Sequence, residues 1–397
     1  MHKILIVGGG AGGELTANAL ARLLKKEIAA SEASITVIEK SAMQEFQPEY
    51  LHIAFEGENP KKIRRPTKAL FTPKVKLVLD QAVSIDLKDR KVTTASSGQI
   101  DFDYIVIALG CHPNYDAVPG LRESNMDFHT SAEDAAKIYR KLKTIKTGSI
   151  IMGIAGLPYK CPPSPNESAF MLSDYLKEYK VSGASITFIT PYTRFYPAEN
   201  VNKEVEPIAE AQGIKINTVF NLDHVDTASK KLISMEGDEV PFDYLFLVPP
   251  HKTPTILSGS DFADKDGWVK VDKKRLTIDG YENAYAIGDV TNAPSAKTGV
   301  TVHLEAMAVA NNIANGIKGI STRYIYTGRT NCPFEVGGHK ATFVVGTYDT
   351  PVKDIKPSFE NYMLKKMMAT FYWGSVKGTY DDIFKRYFGE DYLKQEQ

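Results

Sequence analysis

The pattern of hydrophobic and polar residues at the start of the chain predicts a strand, a helix and a second strand. Residues 3–7 form an apolar run rich in Ile and Val that is too short for a helix, which is typical of a buried parallel strand. Residues 14–24 supply the helix, and residues 35–38 form a second apolar run that leads into Glu39. This order predicts a βαβ unit.

Three glycines between the first strand and its helix match the pattern G-x-G-x-x-G. Gly8 allows a tight turn, Gly10 lets the backbone approach a pyrophosphate, and Gly13 lets the helix pack close to the strand. The N–H groups at the start of the helix would face the phosphates. Glu39 stands where a carboxylate would accept a ribose hydroxyl. The unit is therefore predicted to bind a dinucleotide.

Later apolar runs are predicted to extend this first domain. Residues 75–79, 82–86 and 91–94 have the pattern of short strands in a meander. Residues 102–110 form an apolar strand that ends in Gly110. We expect this strand to return to the first sheet, so that Gly110 touches the bound nucleotide.

A Gly-Asp pair follows a further strand of the same domain. Residues 284–290 read as a short apolar strand that runs into Gly288 and Asp289. An Asp at this point would reach a ribityl hydroxyl of a flavin, which indicates FAD as the dinucleotide.

A basic loop and a long helix come directly afterwards. Lys297, Thr298 and Gly299 precede a helix predicted over residues 302–317. The positive end of that helix dipole would face the flavin pyrimidine ring, which carries negative charge when reduced. Lys297 is predicted to stabilise the same charge.

A second α/β unit follows the first domain, but its phosphate loop is degenerate. Residues 153–158 contain no G-x-G-x-x-G, and prolines prevent a helix from starting there. The strand predicted over residues 185–190 ends on Thr190, which offers no acid for a ribose. We expect this unit to bind no dinucleotide of its own. Its predicted elements are a strand at 149–156, a helix at 166–179, a strand at 185–190, a helix at 203–212 and a strand at 242–250.

These patterns together predict an α/β fold with two Rossmann-like, doubly wound domains and a C-terminal amphipathic helical tail. The FAD-binding domain is predicted to comprise residues 1–113 and 255–320. The second Rossmann-like domain is predicted over residues 114–254, and the C-terminal region over residues 321–397.

Two amphipathic helices are predicted in the C-terminal region. Phe359, Met363, Met367 and Phe371 repeat every four residues, and a second apolar stripe runs through residues 380–388. Basic residues, Lys365 and Lys366 among them, accompany both stripes. Such helices suit the plane of a membrane interface, but the same pattern also suits packing on the protein body or a dimer contact. We expect deletion from residue 358 onward to leave both nucleotide folds intact.

Composition narrows the classes of partner and compartment. The 397 residues carry no formal net charge, and no basic stripe stands out, which disfavours nucleic acid as a partner. The residues after Met1 belong to the first strand, so no signal peptide is expected, and no apolar run is long enough to span a membrane. Three cysteines are too few for a structural disulfide framework. Taken alone, each could be a small buried hydrophobe or a redox group.

The cysteines and the flavin motifs together resemble the sulfide:quinone oxidoreductase family, a group of two-dinucleotide-fold flavoproteins of the disulfide-oxidoreductase type. It is related to the flavoprotein of flavocytochrome c sulfide dehydrogenase. Cys161 lies in Lys-Cys-Pro-Pro-Ser-Pro-Asn-Glu, which looks like the Cys-Pro-Pro segment of the family with its following Glu. Cys332 lies in Asn-Cys-Pro-Phe, on the segment that passes over the flavin in the family. The resemblance covers nearly the whole chain.

The resemblance implies a reaction and its residues. Hydrosulfide would attack a disulfide between Cys161 and Cys332, with Cys332 next to the flavin and Glu167 as a proton acceptor. Electrons would pass from FAD to a membrane quinone, for which Phe334 is the first candidate contact. The implied location is therefore peripheral and monotopic, with the C-terminal helices on the membrane surface; a homo-oligomer stays open.

Three departures from the family pattern bear on these expectations. His129 stands where members often carry a third functional cysteine, and Cys111, directly after Gly110, is not assigned that role. The strand that ends there reads Ala-Leu-Gly, without the usual Thr. Residues 41–60 contain no cysteine, so FAD should be held without a covalent bond.

Three alternative functions remain open on the sequence. A type II NADH:quinone dehydrogenase shares the fold and the tail but needs a second intact glycine loop. A flavocytochrome c-like sulfide dehydrogenase would pass electrons to a haem partner. A non-catalytic flavin redox sensor could use the cysteine pair as a switch. Reduction of the flavin by sulfide or by NADH separates these classes.

Overall fold

Two parallel β-sheets organise the chain, and a computed structural model describes residues 1–396. The helices are α1 (Ala11–Leu23), α2 (Lys25–Ala29), α3 (Tyr50–Phe55), α4 (Leu121–Ser124), α5 (Ala132–Leu142), α6 (Ser164–Glu178), α7 (Glu199–Ala211), α8 (Gly299–Lys318), α9 (Phe359–Ser375) and α10 (Asp381–Phe388). The strands of the first third are β1 (His2–Val7), β2 (Ala33–Glu39), β3 (Met43–Glu45), β4 (Arg64–Pro66), β5 (Val75–Leu79), β6 (Ala82–Asp86), β7 (Lys91–Thr94), β8 (Gln99–Asp101), β9 (Tyr104–Ile107) and β10 (His112–Pro113). The remaining strands are β11 (Thr147–Ile154), β12 (Gly183–Ile189), β13 (Lys215–Asn217), β14 (Leu222–Asp226), β15 (Lys231–Ser234), β16 (Glu239–Pro241), β17 (Tyr244–Val248), β18 (His251–Lys252), β19 (Ala284–Ala286), β20 (Tyr324–Ile325), β21 (Thr330–Glu335), β22 (Ala341–Gly346) and β23 (Lys394–Gln395).

The first sheet has the strand order β19-β9-β1-β2-β5, and all of its pairs are parallel. Both of its faces are covered, which is why β1 is a continuous apolar run. Ile4 and Ile6 pack with residues of α1 and α8, while Leu5 and Val7 pack in the core on the opposite face. The sheet carries the glycine loop at the carboxyl end of β1.

The second sheet has the order β13-β12-β11-β17 and is also parallel. Its central strand β11 is buried from Ile150 to Ile154. Residues 155–163 connect β11 to α6 and carry Cys161. The predicted α/β fold with two doubly wound sheets is therefore confirmed.

One local prediction in the first domain was wrong. Strand β5 does not belong to the meander but pairs in parallel with β2, as the edge of the first sheet; β6, β7 and β8 form the meander. The segment 41–60 contains the helix α3. Every residue of α3 is buried, since the helix packs against α5 and α6.

The C-terminal region contains the β21–β22 hairpin, α9 and α10. Val376, Phe388 and Tyr392 are buried in the core that α1 and α8 share with the first sheet. The Asn18 amide also donates a hydrogen bond of 2.9 Å to the Val376 carbonyl. Deleting the chain from residue 358 would therefore open this core, contrary to our expectation of a dispensable tail.

One side of α9 is apolar and exposed. Phe359, Met363, Met367 and Phe371 are each between 40% and 57% exposed, so the stripe predicted from their spacing does not pack on the protein body. Among residues 1–396, none of the helices combines the length and apolar composition that crossing a bilayer requires.

Candidate active site

The loop between β1 and α1 forms an open cradle at a helix N-terminus. Gly8 has φ +105°, and a Cβ on Gly13 would lie 1.9 Å from the Gly8 carbonyl oxygen, so the close packing of strand and helix requires glycine at both positions. Gly10 faces open space and caps α1 without a side-chain hydrogen bond. The free N–H groups of the first helical turn suit a pyrophosphate. The loop thus fits the dinucleotide part of FAD.

Glu39 lies beside this cradle at the end of β2. Its carboxylate accepts hydrogen bonds from the Gly9 amide at 2.6 Å and the Ser41 amide at 2.7 Å. These bonds fix the carboxylate at the edge of the loop, which is where a ribose would lie.

The Gly-Asp segment meets the same edge of the sheet after β19. Lys297 does not extend into solvent, because its ammonium group donates to the carbonyl oxygens of Asp289 at 2.7 Å and Thr291 at 2.9 Å. Thr298 caps α8 by accepting a hydrogen bond from the Thr301 amide. Gly288 adopts φ +74° at the turn. Asp289 and Lys297 therefore belong to one loop that is held together by hydrogen bonds.

Two further residues that were predicted to bind FAD are glycines. Gly110, with φ +65°, turns the chain after β9, and Gly299 begins α8. The thiol of Cys111 lies 3.9 Å from Asp289 Oδ2. Burial and then the charge of Asp289 raise the pKa of Cys111 to about 12, so this thiol stays protonated.

Two buried carboxyl groups near the cradle were missed by sequence reasoning. Burial together with the charge of Glu39 raises the pKa of Glu14 to about 8. Burial raises the pKa of Glu305 to about 7, and its carboxylate accepts a hydrogen bond of 2.6 Å from the Gly288 amide. The sequence did offer a signal for both residues, since each is an acid inside an otherwise apolar helix, Glu14 in α1 and Glu305 in α8.

The structure brings Cys161 and Cys332 together. Cys161 comes from the loop before α6 and Cys332 from β21, and both are thiols that interact directly. This contact lowers the pKa of Cys161 and raises the pKa of Cys332, so Cys161 is the thiol that ionises first. Cys332 is buried and Cys161 is only partly exposed, and Tyr196 lies close to both sulfurs.

The backbone holds Cys161 in an unusual conformation. Its φ of 56° lies in the left-handed region that disfavours side chains other than glycine. The Cys161 amide donates a hydrogen bond of 2.9 Å to the Lys297 carbonyl, which ties the cysteine loop to the flavin-side loop. A strained residue held by its surroundings is a frequent mark of a functional site.

Glu167 lies in the first turn of α6, next to the cysteine pair. Its Oε1 accepts hydrogen bonds from Lys365 Nζ at 2.7 Å and from the Glu335 amide at 2.8 Å. The same ammonium group donates to Glu335 Oε2 at 2.9 Å. The three side chains are nearly inaccessible, so they form a buried ionic cluster beside the sulfurs.

The cluster continues to a buried histidine on α3. His52 lies 3.6 Å from Glu335 Oε2 and 3.3 Å from Glu49 Oε2. Burial alone would lower the pKa of His52, but the carboxylates of Glu335 and Glu49 outweigh it and raise the pKa to about 9. His52 is therefore an imidazolium at neutral pH. Sequence reasoning missed His52, Glu335 and the inward placement of Lys365.

Phe334, the predicted quinone contact, lies in the protein core. The ring is completely buried, 5.1 Å from Tyr196 and 6.3 Å from Phe170 between ring centroids. It shares a face of β21 with Cys332, because alternate residues of a strand point the same way. The structure therefore makes Phe334 part of the core behind the cysteine pair and does not bring it to the exposed stripe of α9.

The chain is similar to several known proteins. Residues 2–157 match the family model of the pyridine nucleotide-disulphide oxidoreductases. The chain is 26% identical to the mitochondrial sulfide:quinone oxidoreductase of Dictyostelium discoideum, over 98% of this chain and 88% of that protein. It superposes on the sulfide:quinone oxidoreductase of Aquifex aeolicus with a TM-score of 0.83 and 23% identity, covering 95% of this chain and 92% of that one.

The resemblance to the sulfide:quinone oxidoreductases is confirmed. The predictions that the protein is an oxidoreductase and that FAD is its cofactor are confirmed by the same comparisons. A more distant similarity connects the chain to the type II NADH:quinone oxidoreductase of Staphylococcus aureus, at 24% identity over 93% of this chain and 94% of that protein.

Proposed function

We propose that this protein oxidises sulfide at Cys161 and Cys332 and passes the electrons through FAD to a membrane quinone. The observation that carries the proposal is the direct contact of these two thiols, which come from distant parts of the chain. They lie beside a buried acid and next to the loop of Lys297. We further propose that FAD is bound without a covalent link, since residues 41–60 contain no cysteine.

The reaction begins from a disulfide between the two sulfurs. Hydrosulfide forms a new S–S bond with Cys161, the Cys161–Cys332 bond breaks, and its electron pair leaves on Cys332 as a thiolate. A second hydrosulfide then removes the outer sulfur from Cys161. The two thiolates re-form the disulfide and release two electrons, for which FAD is the acceptor when it is bound.

Glu167 is the proposed acceptor of the proton that the bound hydrosulfide loses. It is the carboxylate next to the sulfurs, and it points at Lys365 rather than at solvent. The ammonium group offsets part of the negative charge that collects on the cysteines. Lys365 acts in this way as a positioning residue for Glu167.

The loop after β11 argues against NADH as the electron donor. A dinucleotide needs a tight glycine turn that leads straight into a helix N-terminus. Here residues 155–163 separate β11 from α6, and Cys161 with its prolines occupies that space. This loop therefore offers no place for a second dinucleotide of the kind that an NADH dehydrogenase needs.

The exposed stripe of α9 supports attachment to a membrane surface. An apolar stripe on a helix that lies along the protein surface can enter the headgroup region without crossing the bilayer. A quinone is itself a membrane molecule, so its reductase needs such a contact. We propose a peripheral, monotopic association through α9 and α10.

One stopped-flow experiment tests the assignment. Sulfide mixed with the FAD-loaded protein without oxygen should bleach the flavin absorbance within the time of a catalytic turnover, and NADH should not. Addition of a quinone should then restore the flavin absorbance. Rapid bleaching by NADH at micromolar concentrations together with no response to sulfide would overturn the proposal.

A further inference from the structure

The start of α6 places a hydroxyl group against Cys161. Ser164 Oγ lies 2.9 Å from the Cys161 carbonyl oxygen and also interacts with the Cys161 thiol. On its other side, Ser164 Oγ lies 2.6 Å from His129 Nε2. Ser164 and His129 are both buried. The hydroxyl is thus enclosed between an imidazole and a cysteine.

Counting donors determines the direction of these bonds. Burial, and then the charges of His251 and Lys160, keep the pKa of His129 well below its usual value, so the imidazole carries one ring proton. His129 Nδ1 has no partner among the described residues. A buried unpaired N–H costs more than a buried lone pair, so the proton belongs on Nε2, which donates to Ser164 Oγ.

The hydroxyl proton of Ser164 is then directed towards Cys161. The Cys161 carbonyl oxygen already accepts a hydrogen bond of 3.0 Å from the Ser164 amide. The Ser164 hydroxyl donates to the same carbonyl oxygen at 2.9 Å. Because the amide alone keeps that oxygen paired, the hydroxyl can turn to the sulfur, which it also contacts, whenever the sulfur is negative. A hydrogen bond to a charged acceptor is about twice as strong as one between neutral groups.

We propose that Ser164, oriented by His129, stabilises the Cys161 sulfur as a thiolate and so promotes its departure from the bound sulfur atom. The inference rests on the proposed function. In that step, hydrosulfide attacks the outer sulfur of the Cys161 persulfide anion. A new S–S bond forms in the departing hydrogen disulfide anion, the bond to Cys161 breaks, and its electron pair stays on Cys161. No other oxidant, reductant or proton is required.

Other groups also act on the ionisation of Cys161, and a test must hold them constant. The ones that face it are Cys332 of β21, Glu167 of α6, Lys365 of α9, Tyr159 and Tyr196. Ser168 provides a matched control on the same helix. It is completely buried and donates to the Pro165 carbonyl at 2.6 Å, and it is not among the groups that act on the ionisation of Cys161.

The test measures alkylation of Cys161 by iodoacetamide as a function of pH. The holoprotein carries Cys111→Ser and Cys332→Ser, so that Cys161 is the only thiol, and Ser164→Ala is compared with Ser168→Ala in this background. Ser164→Ala should raise the apparent pKa of the thiol by about one unit, equivalent to about tenfold less thiolate below that pKa. Ser168→Ala should leave the pH profile unchanged. Identical profiles for the two variants would overturn the inference.

Variants of His129 test whether this residue orients the Ser164 hydroxyl or only packs against it. His129→Gln keeps an N–H donor near Ser164 and should keep the pKa of the thiol close to its starting value, whereas His129→Phe should raise it. A rise in both variants would show that His129 does not act by donating its proton. Alkylation needs neither sulfide nor quinone. A shifted profile in a protein that fails to oxidise sulfide would therefore overturn only the proposed function.

Discussion

At the residue scale, the site depends on how each sulfur is surrounded. Cys161 adopts a left-handed backbone conformation and contacts Ser164, while Cys332 lies in a regular strand and is buried. The Cys-Pro-Pro motif indicated a functional cysteine but could not give this geometry. The pairing with Cys332 was an implication of the family resemblance, and only the structure brings the two sulfurs into contact.

Single cysteine variants give the first prediction. Cys332→Ser removes the thiolate that leaves with the electron pair, and Cys161→Ser removes the disulfide that hydrosulfide attacks, so sulfide-driven flavin reduction should fall by orders of magnitude in both. Cys111→Ser is the control and should keep most of the rate, because Cys111 contacts Asp289 rather than the pair. Stopped-flow absorbance of the flavin measures all three. Near-normal rates in either of the first two would exclude the disulfide mechanism.

The second prediction concerns the buried imidazolium of His52. Its pKa of about 9 lies above the unfolded value near 6.5, so its contribution to stability is complete below pH 6.5 and is lost as the pH rises through 9. The free energy of unfolding should therefore fall by about 3 kcal/mol across that range, relative to His52→Gln. Urea unfolding at several pH values measures the difference.

An exposed histidine provides the control for this experiment. His224 is 41% exposed in its side chain and pairs only with Asp223 at the surface. His224→Gln should leave the pH dependence of unfolding as it is in the unchanged protein. A dependence that survives His52→Gln would mean that other groups cause it.

At the element scale, α9 has two faces with opposite roles. The sequence pattern located its apolar stripe correctly, but the usual interpretation would bury that stripe and expose the lysines. The structure does the reverse at Lys365, which points inward because Glu167 and Glu335 supply two buried negative charges. Those partners lie far away along the chain, so helical periodicity alone could not reveal them.

The exposed stripe leads to a third prediction. Met363→Glu together with Met367→Glu should weaken binding to lipid vesicles by roughly tenfold or more, since each change removes the transfer free energy of an apolar side chain. Quinone reduction in vesicles should slow, while flavin reduction by sulfide should not change. Flotation of the protein with vesicles measures the binding.

Met235→Glu is the matched control for that experiment. Met235 is 71% exposed and lies on the turn after β15, outside the stripe of α9. The Met235→Glu variant should float with vesicles as the unchanged protein does. Equal vesicle binding by the double variant and this control would indicate that the stripe of α9 contacts a protein partner instead.

At the scale of the whole molecule, the site is assembled from three separate parts of the chain. The loop after β11 and the helix α6 provide Cys161 and Glu167, the C-terminal hairpin provides Cys332 and Glu335, and α9 provides Lys365. The alternation of strand and helix that builds each sheet is local, and the sequence pattern predicted it well. The contacts among these three parts depend on how the packed elements meet, which no local pattern contains.

The wide separation of the two cysteines has a consequence for thermal stability. A disulfide between them would close a loop of about 170 residues and restrict the unfolded chain, a gain in chain entropy on the order of 5 kcal/mol. The oxidised protein should melt several degrees above the sulfide-reduced protein, and Cys161→Ser should melt at one temperature in both conditions. Calorimetry without oxygen measures this difference. Each catalytic cycle would then lower and restore the free energy of unfolding while the native packing stays the same, and enzyme left with its cysteines reduced would be the first to unfold on heating.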